Sequence, residues 1–289
     1  MFESLESIIS QCKKEKKSFA QIVIENEIKL SDKPQEKVIQ KMTGMWQVML
    51  QASENYDGNL FSNSGLSGGD GKIFSEYAAS KNTLGGEYIS AVISESLKMA
   101  ESNACMKRIV ASPTAGACGV LPAVLIPLYR QKKYPDEKFV EALFVSAGIG
   151  QVIANKACIS GAQGGCQAEI GSASAMAGGS LVYLAGGSAE QIAMAVGLCL
   201  QNLLGLVCDP VAGYVEIPCV KRNVIGAVNA VSCADMVLSG SKAKIPADEV
   251  IDAMGQVGQK MDSTLRETGE GGIAACKTAQ KIVANISKK

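Results

Sequence analysis

Three stretches of this chain run for the length of a bilayer span without a single charge: Ile109 to Tyr129, Ile170 to Ala189 and Gln191 to Cys208. Their composition argues against lipid as the solvent. The first contains Pro113, Pro122 and Pro127, the second five glycines and four serines, and the third Gln201 and Asn202. They read as tightly packed, small-residue helices buried in a soluble protein with no membrane span. Strand signals are weak, because Val, Ile and Thr do not alternate with polar residues over useful lengths. Aromatic residues make up only 5% of the chain, so alanine and glycine supply much of the interior. The expected fold class is all-α: a compact helical domain with Gly-rich loops converging on a site.

Local patterns place several helices. Asp32 as a cap and an early Pro34 lead into Val38, Met42, Met45, Trp46, Met49 and Leu50, a helical series that stops near Asn55-Tyr56-Asp57-Gly58. Glu87 to Ala100 repeats the pattern. Ser188 with Gln191 is a capping-box signal for a helix running to about Leu206. Pro246 opens another, with Val250, Ile251, Met254 and Val257 on one face. With no Pro/Ser linker and no internal repeat, residues 1–289 read as one domain, its N-terminal helical part of about 1–60 packed on the core.

The 28 basic and 28 acidic residues cancel, so nothing favours nucleic acid or an anionic membrane surface. The N-terminus, Met1-Phe2-Glu3-Ser4-Leu5-Glu6, is acidic where a secretory signal would be basic. Ten cysteines in 289 residues are too sparse for a disulfide scaffold, and reduced thiols in the cytoplasm are the expectation. The chain has no histidine, which removes the commonest general base and metal ligand while leaving thiols in plenty.

Cys166 follows Gly161-Ala162-Gln163-Gly164-Gly165, where backbone N–H groups can turn toward a sulfur. Cys208 falls at a helix end before Asp209-Pro210, and Cys219 follows Pro218. The separations of 42 and 11 residues match no zinc-finger or ferredoxin spacing. Spacing alone leaves two readings open: soft metal ligands, or inert core thiols. Cys118, Cys158 and Cys276 cannot be sorted by such arguments.

Two further loops are built of glycines and hydroxyls. Ser64-Gly65-Leu66-Ser67-Gly68-Gly69-Asp70-Gly71-Lys72 and Ser112-Pro113-Thr114-Ala115-Gly116 could form backbone nests for a carboxylate, or could be ordinary helix connections. Neither has the spacing of a P-loop or a dinucleotide fingerprint. Ser67, Gly68, Gly69, Ser112, Thr114, Ala115 and Gly116 are the candidate substrate-binding residues. Asp70 is a candidate for both substrate placement and catalysis. Arg222 would pair with a carboxylate or support the Cys219 loop. Asp70, Lys72 and Lys156 are the ionisable groups nearest these loops and the candidates for a catalytic base. A lysine in that role needs desolvation to be neutral near pH 7.

Taken together, Ser67-Gly68-Gly69-Asp70, Ser112-Pro113-Thr114-Ala115-Gly116, Gly165-Cys166-Gln167-Ala168-Glu169-Ile170-Gly171, and Cys208-Asp209-Pro210-Val211-Ala212-Gly213 through Pro218-Cys219 resemble the α chain of the bacterial iron–sulfur L-serine dehydratases. Arg222-Asn223, Leu265-Arg266-Glu267-Thr268 and Gly271-Gly272-Ile273-Ala274 extend the resemblance over nearly the whole chain. The resemblance implies a [4Fe–4S] cluster held by Cys166, Cys208 and Cys219, buried among the Gly-rich loops of an all-helical catalytic region. It implies conversion of L-serine to pyruvate and ammonia without pyridoxal phosphate (PLP), in cytoplasmic amino-acid degradation feeding gluconeogenesis. Related elimination from L-threonine or L-cysteine would share that chemistry, and a zinc-stabilised non-catalytic helical protein is the alternative outside it.

Members of the family either fuse this region to a smaller β region or keep two polypeptides, so the resemblance implies a separate β chain here. The β region carries a histidine in a Ser-Ser-Ser-His-Thr type motif, and a histidine role would have to come from that partner. Single-chain relatives place a C-terminal cysteine on the open iron when substrate is absent. This chain reads Ile286-Ser287-Lys288-Lys289 there, so the plug is expected to be missing, with Cys276 a poor substitute.

Overall fold

The structure, a computed structural model, describes residues 2–80 and 82–286; Met1 of the N-terminal reading and Ser287, Lys288 and Lys289 of the C-terminal one lie outside the described residues. The helices are α1 (Leu5–Glu15), α2 (Phe19–Ser31), α3 (Gln35–Glu54), α4 (Asp70–Ala79), α5 (Gly86–Ala104), α6 (Val120–Lys132) and α7 (Asp136–Lys156). They continue with a single turn α8 (Gly161–Gly164), then α9 (Ser172–Leu184), α10 (Ala189–Gln201), α11 (Cys219–Leu238), α12 (Ala247–Lys260) and α13 (Lys277–Ile286). Among the described residues there is no strand beyond one isolated bridge, and the all-α expectation is met.

α9 is the axis of the molecule. Every residue from Ser172 to Val182 is buried, and α6, α7, α10 and α11 pack around it. A helix enclosed on all sides needs small residues where neighbours cross closely. A Cβ on Gly178 would lie 2.7 Å from Cys199 Sγ, and one on Gly179 would collide with Ile149 Cδ1. Its serines remain compatible with burial where a partner is found: Ser180 donates to the Ala142 carbonyl at 2.9 Å, and Ser174 accepts from Asn229 at 2.9 Å. The uncharged run at 170–189 is therefore this central helix and its flanks. Among the described residues no helix is long and apolar enough to cross a membrane.

The helices α1–α3 lie against the same core through Leu5, Ile8, Phe19, Val23, Val38, Trp46 and Met49. Trp46 stacks on Phe139 of α7 at 5.0 Å and meets Tyr129 edge-on at 5.4 Å. Such aromatic pairs add about 0.5–1.5 kcal/mol each beyond the area they bury.

Two boundaries differ from expectation. Asp32 does not cap α3; it closes α2 in the left-handed conformation at φ 52°, which Asp tolerates, and Pro34 occupies the cap position of α3. The Ser188–Gln191 capping box is present, but α10 stops at Gln201 rather than near Leu206. Gly205 turns there at φ 85°, and its N–H is taken by the Gln167 side chain at 2.8 Å, a tertiary contact invisible to local pattern.

Candidate functional site

Cys166 sits where the chain enters α9. Gly165, at φ 76°, ends α8, and a wide π-turn over Gln167–Gly171 joins Cys166 to the central helix. Such turns are often retained at functional sites. Gln167 locks this entry: its amide donates to the Gly164 and Met254 carbonyls at 2.9 and 3.1 Å, and its backbone N–H donates to Leu206 at 2.9 Å.

That last bond draws in the segment bearing Cys208. Cys208 donates its N–H to Leu265 at 2.8 Å, and Glu267 donates to the Cys208 carbonyl at 2.7 Å, forming the isolated bridge. Next to it, buried Asp209 pairs with Arg222 at 2.8 Å and accepts from the Ile273 N–H at 2.7 Å. Gly272, at φ 58°, lacks the side chain that would strike this carboxylate. Arg222 also donates to the Val207 carbonyl at 2.7 Å. A buried charge survives only when paired and hydrogen-bonded in this way. The segment at 265–274 is thus a clamp over Cys208.

Cys219 opens α11. One turn later, buried Asn223 donates to the Gly116 carbonyl at 2.8 Å and the Cys219 carbonyl at 3.0 Å, while accepting from the Gly119 N–H at 2.8 Å. The 112–119 loop is thereby fastened to the helix that carries Cys219. Within it, the Ser112 N–H donates to the Thr114 carbonyl at 3.2 Å, and the Thr114 hydroxyl donates to Glu169 Oε1. A Cβ on Gly116 would lie 2.8 Å from that same oxygen. One on Gly161 would lie 2.8 Å from Cys208 Sγ and 3.5 Å from Glu169 Oε2.

The three cysteines are buried at 1%, 3% and 5% exposure and are carried by three separate segments. The Cys166 thiol is held below its ordinary range, first by a hydrogen bond from Cys208 and further by Arg222, against the cost of burial. Cys208 is pushed up by that same hydrogen bond and by burial. Cys219 is pushed up to about 12, by burial first and then by the charge on Cys166. The protein's own cation thus favours one thiolate, and a trio of thiolates calls for further positive charge. A metal held there would supply it, since coordination deprotonates a thiol outright. Among the described residues no three Cys, Asp, Glu or His side chains converge on one point as ligands of a single ion. Three neighbouring thiols in a chain without histidine are a soft donor set, the chemistry that suits a thiolate-held metal group rather than a hard cation.

Glu169 is half-buried beside these sulfurs. Burial pushes its carboxyl above the ordinary carboxylate range, the charge of Glu267 adds to this, and the Thr114 hydrogen bond opposes it. Sequence reasoning passed it over. The available signal was an ionisable residue in an otherwise uncharged segment, one turn beyond Cys166.

Thr114, Gly116 and Arg222 therefore gather with the cysteines, with Ser112 in the same loop and Ala115 exposed at its tip. The other glycine-rich loop is neighbouring and is held by two buried carboxylates. Glu216, between Cys208 and Cys219, accepts from Ser62 at 2.6 Å and Ser64 at 2.8 Å. Glu101 accepts from the Asp70 and Gly71 N–H groups at 2.7 and 3.1 Å and from the Tyr56 hydroxyl at 2.6 Å. The amides at the start of α4 are already occupied by this internal carboxylate. Ser67 is buried, its N–H directed to Ser62 Oγ at 3.3 Å, and Gly68 and Gly69 take φ values of 142° and 84° at the entry to α4.

The ionisable candidates have partners of their own. Lys72 donates to Asn59 at 3.1 Å, Asp70 pairs with Lys221 at 2.8 Å, and Lys156 pairs with Asp252 of α12 at 3.0 Å. Cys118 is buried against the Met99 carbonyl, Cys158 packs by Gly164, and Cys276 is exposed near Gly272.

Residues 14–274 match the serine dehydratase alpha chain family. The chain is 43% identical over 286 residues to the probable L-serine dehydratase alpha chain of Bacillus subtilis (strain 168), covering 99% of this chain and 95% of that protein. It is 39% identical over 290 residues to the L-serine dehydratase alpha chain of Peptoniphilus asaccharolyticus, covering 100% and 99%. It is 33% identical over 296 residues to L-serine dehydratase 2 of Escherichia coli (strain K12), covering 98% of this chain but 62% of that longer protein. With the family matched across the segments that build the site, and with relatives aligned end to end, the chain belongs to the serine dehydratase alpha chain family.

Proposed function

We propose that this chain is the α subunit of a lyase that removes water from L-serine to give pyruvate and ammonia, with Cys166, Cys208 and Cys219 holding a [4Fe–4S] cluster. The observation that carries this reading is that the three buried thiols lie near enough to one another to shift each other's titration, with the Glu169 charge felt at Cys166 and Cys219 and Glu169 itself bonded to Thr114. When bound, a cluster with three protein ligands supplies a Lewis-acidic iron that stabilises the departing hydroxide.

The chain's own residues account for the remaining demands of the reaction. Glu169 takes the α-proton of serine. Its partial burial raises its basicity, and the Thr114 hydroxyl fixes one oxygen so that the other faces substrate. We assign the base to Glu169 ahead of Lys72, Asp70 and Lys156, which are engaged with Asn59, Lys221 and Asp252. Glycine at 116 and 161 lets the backbone approach the Glu169 carboxylate and the Cys208 sulfur more closely than a side chain would allow. Backbone N–H groups of Thr114, Ala115 and Gly116 orient the substrate carboxylate, and Ser67, Gly68 and Gly69 border the site from the neighbouring loop. Arg222 holds the Cys208 segment through Val207 and Asp209 and lends positive charge to Cys166. Loss of the proton and hydroxide leaves aminoacrylate, which tautomerises and takes up water to release ammonia and pyruvate.

A separate β chain completes the enzyme. The alpha-chain designation of the B. subtilis and P. asaccharolyticus relatives, and the longer E. coli relative of which this chain covers 62%, support that partner. Ten cysteines without a disulfide fit a reducing cytoplasm. The test is anaerobic copurification with the β chain, metal analysis and a serine-to-pyruvate assay beside threonine and cysteine. Iron with inorganic sulfide and serine turnover are expected. Zinc without iron or sulfide, or preference for another amino acid, would overturn the assignment.

A further inference from the structure

The α2–α3 pair lies across α7 and leaves a cleft of about 600 Å³ that shares no residue with the cysteine site. Its apolar surface comes from Val23, Val38, Met42 and Phe144, and its size suits a small organic ligand. Lys33, Lys37 and Lys41, spaced four residues apart, stand along the α3 side. Among the described residues none of the three pairs with a carboxylate; Lys37 donates only to the Gln40 side chain at 3.3 Å. Among the described residues Glu27 is the one acidic group lining the cleft, and it belongs to the opposite, α2 wall. Apolar depth with unpaired cations along one edge is complementary to a molecule with an anionic head and an apolar body.

A second cavity of about 130 Å³ shares Met42, Met45 and Ala147 with the first and reaches Ser112 and Pro113. Methionine is unbranched and repacks easily, so the shared wall can respond to what lies on either side. Trp46, the only tryptophan in the chain, comes directly after Met45 and is fully buried.

We propose that this cleft binds an amphipathic carboxylate, with its head among Lys33, Lys37 and Lys41, and that occupancy is felt at the Ser112–Thr114 loop through Met42 and Met45. Binding stands on the cleft alone. The coupling rests on the reading that the Thr114 loop serves the serine site.

Octanoate is the probe, titrated into the anaerobic α–β complex by calorimetry and by Trp46 fluorescence. Saturable binding that weakens with salt is expected. Lys33→Gln/Lys37→Gln/Lys41→Gln lies on the exposed surface and should weaken binding about tenfold while circular dichroism stays unchanged. Ala147→Phe, at an exposed position on α7, should fill the cleft and abolish binding. Equal affinity for octan-1-ol, unchanged affinity in the triple variant, or no saturable binding to the complex would overturn the site. Octanoate should also shift the serine KM in the parent complex and not in Ala147→Phe. Saturable binding with no KM shift, in an enzyme that turns over serine, would overturn the coupling alone; failure to turn over serine would count against the functional reading and leave the binding result intact.

Discussion

The Asn223 amide donates to the Gly116 carbonyl at 2.8 Å, tying the first turns of the Cys219 helix to the loop that carries Thr114. The same side chain accepts from Gly119 and donates to Cys219, so one buried residue sets the spacing between a metal-ligand candidate and the loop facing Glu169. Asn223→Ala leaves the Gly119 N–H and Gly116 carbonyl without this partner. We expect a loss of about 2–4 kcal/mol in urea unfolding, and serine turnover reduced even where the protein remains folded. Asn223→Asp keeps the acceptor but sets a buried carboxylate against the Gly116 and Cys219 carbonyls, and should be at least as destabilising as Asn223→Ala.

Cys166→Ala, Cys208→Ala and Cys219→Ala should each lose cluster and serine turnover together, read as iron and sulfide content beside pyruvate formation. Cys199→Ala, at a buried thiol on α10 outside the site, should retain both. Full iron content in all three site variants would remove these residues as ligands.

Glu169 predicts a pH profile. A base acts when ionised, and burial places this carboxyl above the ordinary range, so the acid limb of kcat/KM should lie above that of a free carboxylate. Thr114→Val removes the hydrogen bond that opposes the shift and should move the limb to higher pH. Glu169→Gln should lower kcat by about 10²–10⁴ with iron retained and the limb gone. For stability, the fold favours the protonated form of Glu169. That contribution is complete below the unfolded-state pKa and is lost as pH rises through the raised folded-state value.

Two glycines offer a steric test. Neither Gly116 nor Gly161 has a positive φ, so alanine suits the backbone at both. Gly161→Ala places a methyl 2.8 Å from Cys208 Sγ and should lower iron content. Gly116→Ala places one 2.8 Å from Glu169 Oε1 and should spare iron while reducing kcat by about tenfold or more, read in the same preparations.

Much of the fold was legible locally. The Ser188–Gln191 capping box, the apolar stripe of α3 and the small-residue runs each come from short-range rules. The end of α10 was not, because the Gly205 N–H is claimed by Gln167, 38 positions away in the chain. The site was legible as motifs but not as an arrangement. Glu101 and Glu216 carry no local sign of burial in the sequence, yet both are buried and hold the Ser62–Gly71 loop. The nest anticipated there takes an internal carboxylate at Asp70 and Gly71.

The sequence by itself determined that this chain would be helical, closely packed and rich in soft ligands without imidazole, because periodicity, residue size and side-chain chemistry are local properties. Its motifs also carried the family. Only the tertiary structure decided which ionisable groups meet the cysteines. Cys166, Cys208 and Cys219 come from segments 42 and 11 residues apart, and long-range bonds through Gln167, Arg222 and Asn223 set their approach. Those bonds also place Glu169 at the centre and leave Lys72, Asp70 and Lys156 with other partners, since burial and pairing belong to the packed chain and to no residue alone.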